Sequence, residues 1–598
     1  MSQVVAPVSS AAGSKRAAPT VPARGTRWNF NKLVFAVHGW LGLSLGLPLF
    51  VICFSGTIAV LSHEIDWLIN PAIRAAGPAS PVDWQAGYES VRAAYPGQPI
   101  RSAWAPVGEG FALEFWVGSP NGNFRVYVEP TTGEILGTGT WFNTQRFFRD
   151  FHRRFFWGSA WGITLVSAFA IPLLISVITG LIFYKRWWAK LLTLRFHKGL
   201  RVFAADSHRL TGAWSFVFAL IIAVTGLWYL VEKPSLRSVQ EHVNRPDRIG
   251  REEIAALGSV ATPLPLSELI GRVQSASPDF EVKAISFPAR AGQPIHFDGQ
   301  AAAWLVRDRA NRIFLDPFSG RVLGLNRGEE AHPVIRWSDT ADLLHFGTFG
   351  GLGVKLVWFA FGLFLSILMP TGVFLFAKRA EQQIAGMLKK QARSAGAEKV
   401  EKLRFRGTGW LGFLTTTAVL ILAGKMTYEA VLKQIPENHR VRVESTTQVI
   451  GPWNIKPVRV TRGSGDAAEV AHGIEFVSEE AVPIVRRVEL AWGETEPGEK
   501  GWERARGGFE EFATQAAPLT AQHEEQLWVA IEGFDGQRHV GSWPAGAPFV
   551  GSTETAPPEV YWLGGWGVVG FCGGFTGLLA AGVIAWYWLV WIRPRRLA

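Results

Sequence analysis

Cysteine is close to absent: the 598 residues include two, Cys53 and Cys572, both inside apolar stretches. That excludes a disulfide framework, and there is no Cys-x-x-Cys-His run for covalent attachment of a prosthetic group. The chain also lacks a Walker phosphate loop, a Rossmann glycine fingerprint, a His-Glu-x-x-His zinc motif and a Gly-x-Ser-x-Gly elbow. Nucleotide hydrolysis, hydride transfer from a bound nicotinamide and proteolysis therefore have no support. Charge is missing from five long segments, Leu33–Leu61, Phe155–Tyr184, Leu210–Val231, Leu356–Ala377 and Tyr561–Ile592. Each is long enough to cross a hydrocarbon core of roughly 30 Å at about 1.5 Å per residue. A sixth, Trp410–Gly424, is shorter, and the Lys425 that follows it can snorkel to an interface. The fold class is a polytopic α-helical membrane protein.

Basic residues next to the spans set the expected orientation. The tail 1–32 carries Lys15, Arg16, Arg24, Arg27 and Lys32 with no acid. Basic residues also crowd the loops 187–206 and 378–408 and the end 593–598, which holds Arg593, Arg595 and Arg596. These four parts read as cytoplasmic. The spans between them are expected at 33–61, 151–186, 207–231, 344–377, 409–430 and 560–592. The mixed-charge inserts 62–150, 232–343 and 431–559 then lie outside the cytoplasm. Much of the net charge of +11 is thus a topology signal, so the bilayer is a partner and nucleic acid is not. The first apolar stretch is too long for a typical cleaved signal and ends without a clear Ala-x-Ala site, so it reads as a retained anchor.

Four histidines open apolar segments, and they come as two copies of one pattern. His38 is followed by Gly42 and by Ser55-Gly56; His208 is followed at the same offsets by Gly212 and Thr225-Gly226. His152, in Phe151-His152-Arg153, precedes a span ending Thr179-Gly180, and His345, in Leu344-His345-Phe346, precedes one ending Thr371-Gly372. The inserts repeat as well. Val126–Gly137 aligns without gaps to Ile313–Gly324, around Glu129-Pro130-Thr131-Thr132-Gly133 and Asp316-Pro317-Phe318-Ser319-Gly320. Alternating apolar residues, a Pro-x-Ser/Thr-Gly turn and a second apolar run predict strand, turn and strand. Trp84–Tyr95 and Leu266–Ser275 have helical periodicity, so each insert is expected to be a small α+β module.

Ionisable groups at membrane depth are costly without a partner, and four placed by duplication point to a bound cofactor. The topology pairs His38 with His208 on the cytoplasmic side and His152 with His345 on the periplasmic side. Each pair is suited to clamp one b-type haem through neutral imidazole nitrogens, giving two haems in a four-span bundle. The residues alone do not distinguish haem from another metal. His152 and His345 lie about 27–28 residues before their Thr-Gly pairs, roughly 40 Å of straight helix, which places them at or slightly above the outer interface. Arg153, Arg154 and Arg209 beside three of the histidines are candidate partners for haem propionates, and equally for lipid phosphates. Gly42, Gly46, Gly56, Gly180, Gly212, Gly226, Gly350, Gly351 and Gly372 leave room for a porphyrin or for close helix packing.

The order span, module, span, span, module, span resembles the PepSY-associated transmembrane family over roughly residues 30–380. It does so with the Phe-His-Arg, Asp206-x-His208-Arg209 and Leu-His-Phe-Gly segments and the paired acid-Pro-x-Thr/Ser-Gly turns. The resemblance implies a bacterial inner-membrane haem protein that reduces iron in ferric siderophores delivered to the periplasm. Membrane quinol or a cytoplasmic reductant would supply the electrons, and the sequence does not choose between them. Trp141, Arg146, Arg149, Arg336 and Trp337 are placed to attract an anionic chelate. Two other readings stay open: a scaffold whose modules bind a periplasmic partner, and a permease for an iron chelate. The permease lacks the acidic residues or broken helices that transporter sites often place at mid-membrane. Residues 381–598 fall outside the resemblance. Their last two spans hold no histidine, and Trp528–Gly536 is either a degenerate third module or, the favoured reading, part of an unrelated extension.

Overall fold

A computed structural model describes residues 30–184 except 97, 120, 121 and 158, and residues 191–394 except 244. In the C-terminal third it describes parts of 414–425 and 440–553, and 567–587. Among these residues four helical segments are long and apolar enough to span a membrane, Phe30–Val60, Trp161–Ile182, Leu200–Ser238 and Thr348–Arg379. Helix is forced there because lipid offers the backbone no hydrogen-bond partners. The first span is α1 (Phe30–Val60); the second is a pair of helices, α5 (Ser159–Ala168) and α6 (Ala170–Phe183). The third is α7 (Leu200–Ser238), and the fourth lies in α11 (Gly351–Ser394). Contacts run α1 to α6, α6 to α7, α7 to α11 and α11 back to α1. The ring closes, and α1 stands diagonally opposite α7.

The second and fourth spans begin later than the expected bounds 151 and 344. His152 lies in a separate helix, α4 (Thr144–Arg154), and His345 in another, α10 (Pro333–Phe346). α4 ends where Phe155 and Phe156 turn left-handed, at φ 49° and 57°, with the Phe156 N–H bonded back to the Asp150 carbonyl at 3.2 Å. α10 ends on left-handed Gly347, at φ 68°. A continuous apolar run conceals such a break, because both sides of the cap are apolar. α4 buries Phe147, Phe148 and Phe151, leaves Arg149 and Arg153 exposed and turns Arg146 toward the sheet.

The first insert runs α2 (Ser62–Ile69), α3 (Trp84–Ala94), β1 (Ile100–Trp104), β2 (Leu113–Ser119), β3 (Gly122–Val128) and β4 (Ile135–Thr140). The second runs α8 (Arg251–Ala256), β5 (Val260–Ala261), α9 (Leu266–Ala276), β6 (Glu281–Ser286), β7 (Ile295–Gln300), β8 (Asn311–Leu315) and β9 (Val322–Asn326). The two acid-Pro turns fall as predicted between β3 and β4 and between β8 and β9, with Gly133 and Gly320 at φ 73° and 68°. The inserts are not two separate modules. β1 pairs with β6 through Ser102–Ser286, Ala103–Ile285 and Trp104–Ala284, making one antiparallel sheet in the order β4-β3-β2-β1-β6-β7-β8-β9. Joining them removes two exposed strand edges. One core runs beneath α3 and α9, with Leu113, Phe115, Val117 and Val126 from one half and Ile285, Phe297, Ile313 and Leu315 from the other.

Strand alternation puts Glu114 and Trp116 on the opposite face, toward α4. There buried Asp66 accepts the N–H groups of Thr144 and Gln145 at 2.8 and 2.9 Å, and Asn143 caps the same helix through the Arg146 N–H at 3.0 Å. The C-terminal insert is a sandwich of two antiparallel sheets closed around Trp453, Ile455, Ile474, Val488, Val529, Ile531 and Trp543. Trp528–Gly536 contributes a strand and turn to it, but its described residues form no helix, unlike the first two inserts. It docks on the second insert: Val482–Pro483 pairs with β5, and the Trp453 indole and the Ile484 N–H both donate to the Ser259 carbonyl, at 2.7 and 2.9 Å. The fifth expected span, 409–430, lies largely outside the described residues. The sixth contains α12 (Gly567–Tyr587), whose Phe575 packs among Phe54, Phe148 and Phe151.

Replacing Asp66 by Ala leaves two N–H groups at the start of α4 without acceptors. The loss is expected to be about 1–3 kcal/mol, seen as a lower unfolding midpoint of the full chain in detergent. Asp66→Asn keeps an acceptor oxygen and should cost less.

Candidate functional site

The diagonal helices bring the four histidines together in two pairs, those expected from topology. His38 on α1 faces His208 on α7 with ring centres 6.4 Å apart and ring planes at 82°. His152 on α4 faces His345 on α10 with centres 6.1 Å apart and planes at 38°. An imidazole nitrogen bonds a transition metal at about 2 Å and lies about 1.1 Å from its ring centre. Two rings ligating one ion from opposite sides therefore have centres about 6.2 Å apart. Both pairs meet that spacing.

Each ring is also held in one tautomer. His38 Nδ1 lies 3.1 Å from the Ser176 carbonyl and 3.0 Å from Thr179 Oγ1, both on α6. His208 Nδ1 lies 3.1 Å from the Leu368 carbonyl and 3.1 Å from Thr371 Oγ1, both on α11. His152 Nδ1 lies 2.9 Å from the Ile52 carbonyl on α1, and His345 Nδ1 lies 2.8 Å from Thr225 Oγ1 on α7. A carbonyl only accepts. The three threonine hydroxyls donate their own protons to the Ile175, Ile367 and Ile221 carbonyls at 2.6–2.7 Å, so toward the rings they accept too. Nδ1 therefore carries the proton in His38, His152 and His208, and the Thr225 bond to Ile221 favours the same tautomer in His345; the lone pair is then on Nε2, the arrangement of a metal-ligating histidine with an oriented second shell.

The repeated Ser/Thr-Gly pairs are the other half of this arrangement, a role that sequence reading assigned to helix packing or cofactor room. A Cβ on Gly56 would stand 2.6 Å from His152 Cε1 and one on Gly372 3.0 Å from His208 Cε1; on Gly180 it would be 3.7 Å from His38. Gly226 instead meets Ala170, at 3.1 Å, so there the glycine does serve helix packing. Ser55 bonds the same Ile52 carbonyl that receives His152. The signal was in the sequence, as identical offsets, but nothing there said which histidine each pair would meet.

His152 and His345 reach in against the spans. Their partners Ile52 and Thr225 lie inside α1 and α7, so the rings stand beside the turns of the spans nearest the sheet. The helix breaks cause this by folding α4 and α10 back against the bundle. Fourteen residues separate His38 from Ile52 on α1, so the two pairs stand about 21 Å apart in depth.

The arginines divide. Arg209 pairs with buried Asp206, which also receives Arg195 Nε at 2.8 Å, tying the loop before α7 to the turn that carries His208. Arg154 pairs with Asp150 at 2.6 Å, while Arg153 is exposed. Arg336 bonds the Gly328 and Trp304 carbonyls at 2.8 Å. A polar network that sequence reading missed adjoins His345: Tyr229 packs against its ring, centres 5.3 Å apart, and donates to Asp342 at 2.6 Å, and Arg307 bonds Asp342 and Asp339. Lys355, buried at the start of the fourth span, pairs with Glu64 at 2.8 Å. His332 caps α10, with Nδ1 accepting the Val334 N–H at 3.2 Å, and is structural. Among the described residues no three His, Cys, Asp or Glu side chains converge.

These features define a multi-pass membrane protein whose four-helix bundle carries two facing histidine pairs below a joint sheet. Residues 35–379, more than half of the chain, match the PepSY-associated TM region, and the chain belongs to that family. No curated protein matches it.

Thr225→Val is nearly isosteric but removes the hydroxyl that accepts from His345. The buried N–H it strands should cost about 1–3 kcal/mol, read as a lower unfolding midpoint. Thr225→Ser keeps the acceptor and should stay near the parent.

Proposed function

We propose that the protein is an electron carrier of the bacterial inner membrane that reduces siderophore-bound Fe(III) to Fe(II) at the periplasmic face. Two b-type haems fit its histidines, one between His38 and His208 and one between His152 and His345. The observation that carries this reading is the pair geometry: two imidazoles per site, at a spacing that would let both hold one metal ion, each with Nδ1 engaged by an oxygen of the neighbouring span. A site with two protein ligands suits haem, whose ring fills the other positions, better than a metal that needs three or four side chains. Bound haem would supply a one-electron couple between ferric and ferrous iron.

The chain's own residues do the rest. Thr179, Thr371, Thr225 and the Ile52 carbonyl hold the imidazoles, and Gly56, Gly180 and Gly372 leave them space. The basic flanks support cytoplasmic termini, which makes His38 and His208 the side of electron entry, from membrane quinol or a cytoplasmic reductant, and His152 and His345 the side of exit. One electron converts Fe(III) to Fe(II), and the siderophore's oxygen donors, which favour the harder ferric ion, then let the metal go. We read the matching element order of the two halves as a duplication, with each insert PepSY-like, and 409–430 and 560–592 as two additional spans.

Protein purified after haem-replete expression is expected to show a six-coordinate haem b spectrum, to reduce with dithionite and to reoxidise when a ferric siderophore is added. His152→Ala and His38→Ala should each lose about half of the haem, and the double variant all of it. A preparation without haem, or reduced haem indifferent to the siderophore, sinks the proposal.

A further inference from the structure

On the face of the sheet turned toward α4, Trp104 of β1, Trp116 of β2 and Trp141, just after β4, form one cluster. Trp104 and Trp116 have ring centres 5.0 Å apart, and Trp116 and Trp141 stand 4.7 Å apart at 86°. Trp104 remains 37% exposed at the middle of the sheet. The Arg146 guanidinium lies 3.6 Å from the Trp141 ring centre and 5.8 Å from that of Trp116. Arg125 flanks the same two rings, at 5.5 and 5.9 Å, but it is paired with Glu114 at 2.7 Å. Arg146 has no such carboxylate. Among the described residues its side chain makes no hydrogen bond or ion pair, and its Nε is buried without an acceptor. Burial, with Arg125 adding repulsion, pushes it down to about 10 against the pull of Asp150 and Glu114, so at neutral pH it is charged, and among the described residues neither carboxylate bonds it.

A half-buried cation stacked on tryptophan with its donors unused is costly unless something anionic completes it. The surrounding rings add a preference for a flat aromatic group, and Arg146 is six residues, about 9 Å, before His152 on the same helix. We infer that Trp104, Trp116, Trp141 and Arg146 form a recognition niche for an anionic chelate with aromatic donor arms, of the catecholate class, in preference to a cationic or neutral hydroxamate. The inference names the substrate class for the reductase proposed above and rests on that reading only for what happens to the ligand after it binds.

Gallium(III) chelates test the niche, because gallium mimics ferric iron in size and charge but is not reduced, so binding is read independently of electron transfer. Calorimetric titration of the full chain in nanodiscs with a gallium tris-catecholate should give tighter binding than with gallium desferrioxamine B. The affinity should weaken as salt rises from about 0.05 to about 0.5 M. Arg146→Gln and Trp141→Ala should each lose on the order of ten-fold in catecholate affinity, with haem content and unfolding midpoint near the parent's. Equal binding of the two chelates, no binding of either, or an Arg146→Gln variant that binds like the parent overturns the inference. So does a variant that loses haem while keeping chelate affinity, since the guanidinium would then serve a haem carboxylate. A haem-free protein that still shows the Arg146-dependent preference leaves the niche standing and refutes the electron-carrier reading instead.

Discussion

The Nδ1–H of each imidazole is bonded to an oxygen on the neighbouring span of its own hairpin, and the two histidine sites depend on that bond. α1 holds His152 and is held through His38 by α6; α7 holds His345 and is held through His208 by α11. Each hairpin is thus cross-linked near both ends by its own histidines. The paired rings meet only when the two hairpins close into the ring of four helices. The same bond fixes helix register and leaves Nε2 as the basic nitrogen, so packing and chemistry share one constraint.

The helix breaks at Phe155–Phe156 and Gly347 give the outer pair its position. Without them α4 and α10 would extend their spans upward, and the outer rings would stand clear of the bundle. With them the helices fold back, His152 and His345 enter the outer turns of α1 and α7, and the arginine face of α4 comes up under the sheet. The shared sheet fixes the other end of this arrangement. The β1–β6 pairing joins the hairpins beyond the spans as the histidine pairs join them along the bundle. The C-terminal extension braces the assembly at two points. Its sandwich adds a short strand pair to the second insert, and Phe575 of α12 fills a phenylalanine nest next to His152.

Much of this was legible in the chain. Uncharged stretches marked the spans, the acid-Pro-x-Ser/Thr-Gly turns marked the strand pairs, and identical offsets from His38 and His208 marked a repeated site. Less legible were features that involve two distant segments. Arg209 was as good a candidate for a haem carboxylate as for Asp206 until the loop before α7 brought Arg195 to the same acid. Arg336 was a candidate for substrate until two backbone carbonyls were found to hold it. An arginine's partner is chosen by whichever acceptor the fold delivers, and spacing along the chain does not contain that.

The sequence by itself determined that the chain crosses a membrane, which histidines belong together and which turns shape the inserts. These follow from local hydropathy, from periodicity and from the repetition of short motifs, all properties of contiguous residues. Only the tertiary structure decided where along the spans the second pair lies, that the two inserts are one sheet, and that an oxygen at or near each Ser/Thr-Gly pair receives an imidazole of the neighbouring helix. Each of those depends on a contact between segments far apart in the chain: a left-handed cap that reverses a helix against its neighbour, an edge strand that finds another edge, and a hydroxyl whose acceptor side is turned toward a ring by its own bond to the helix.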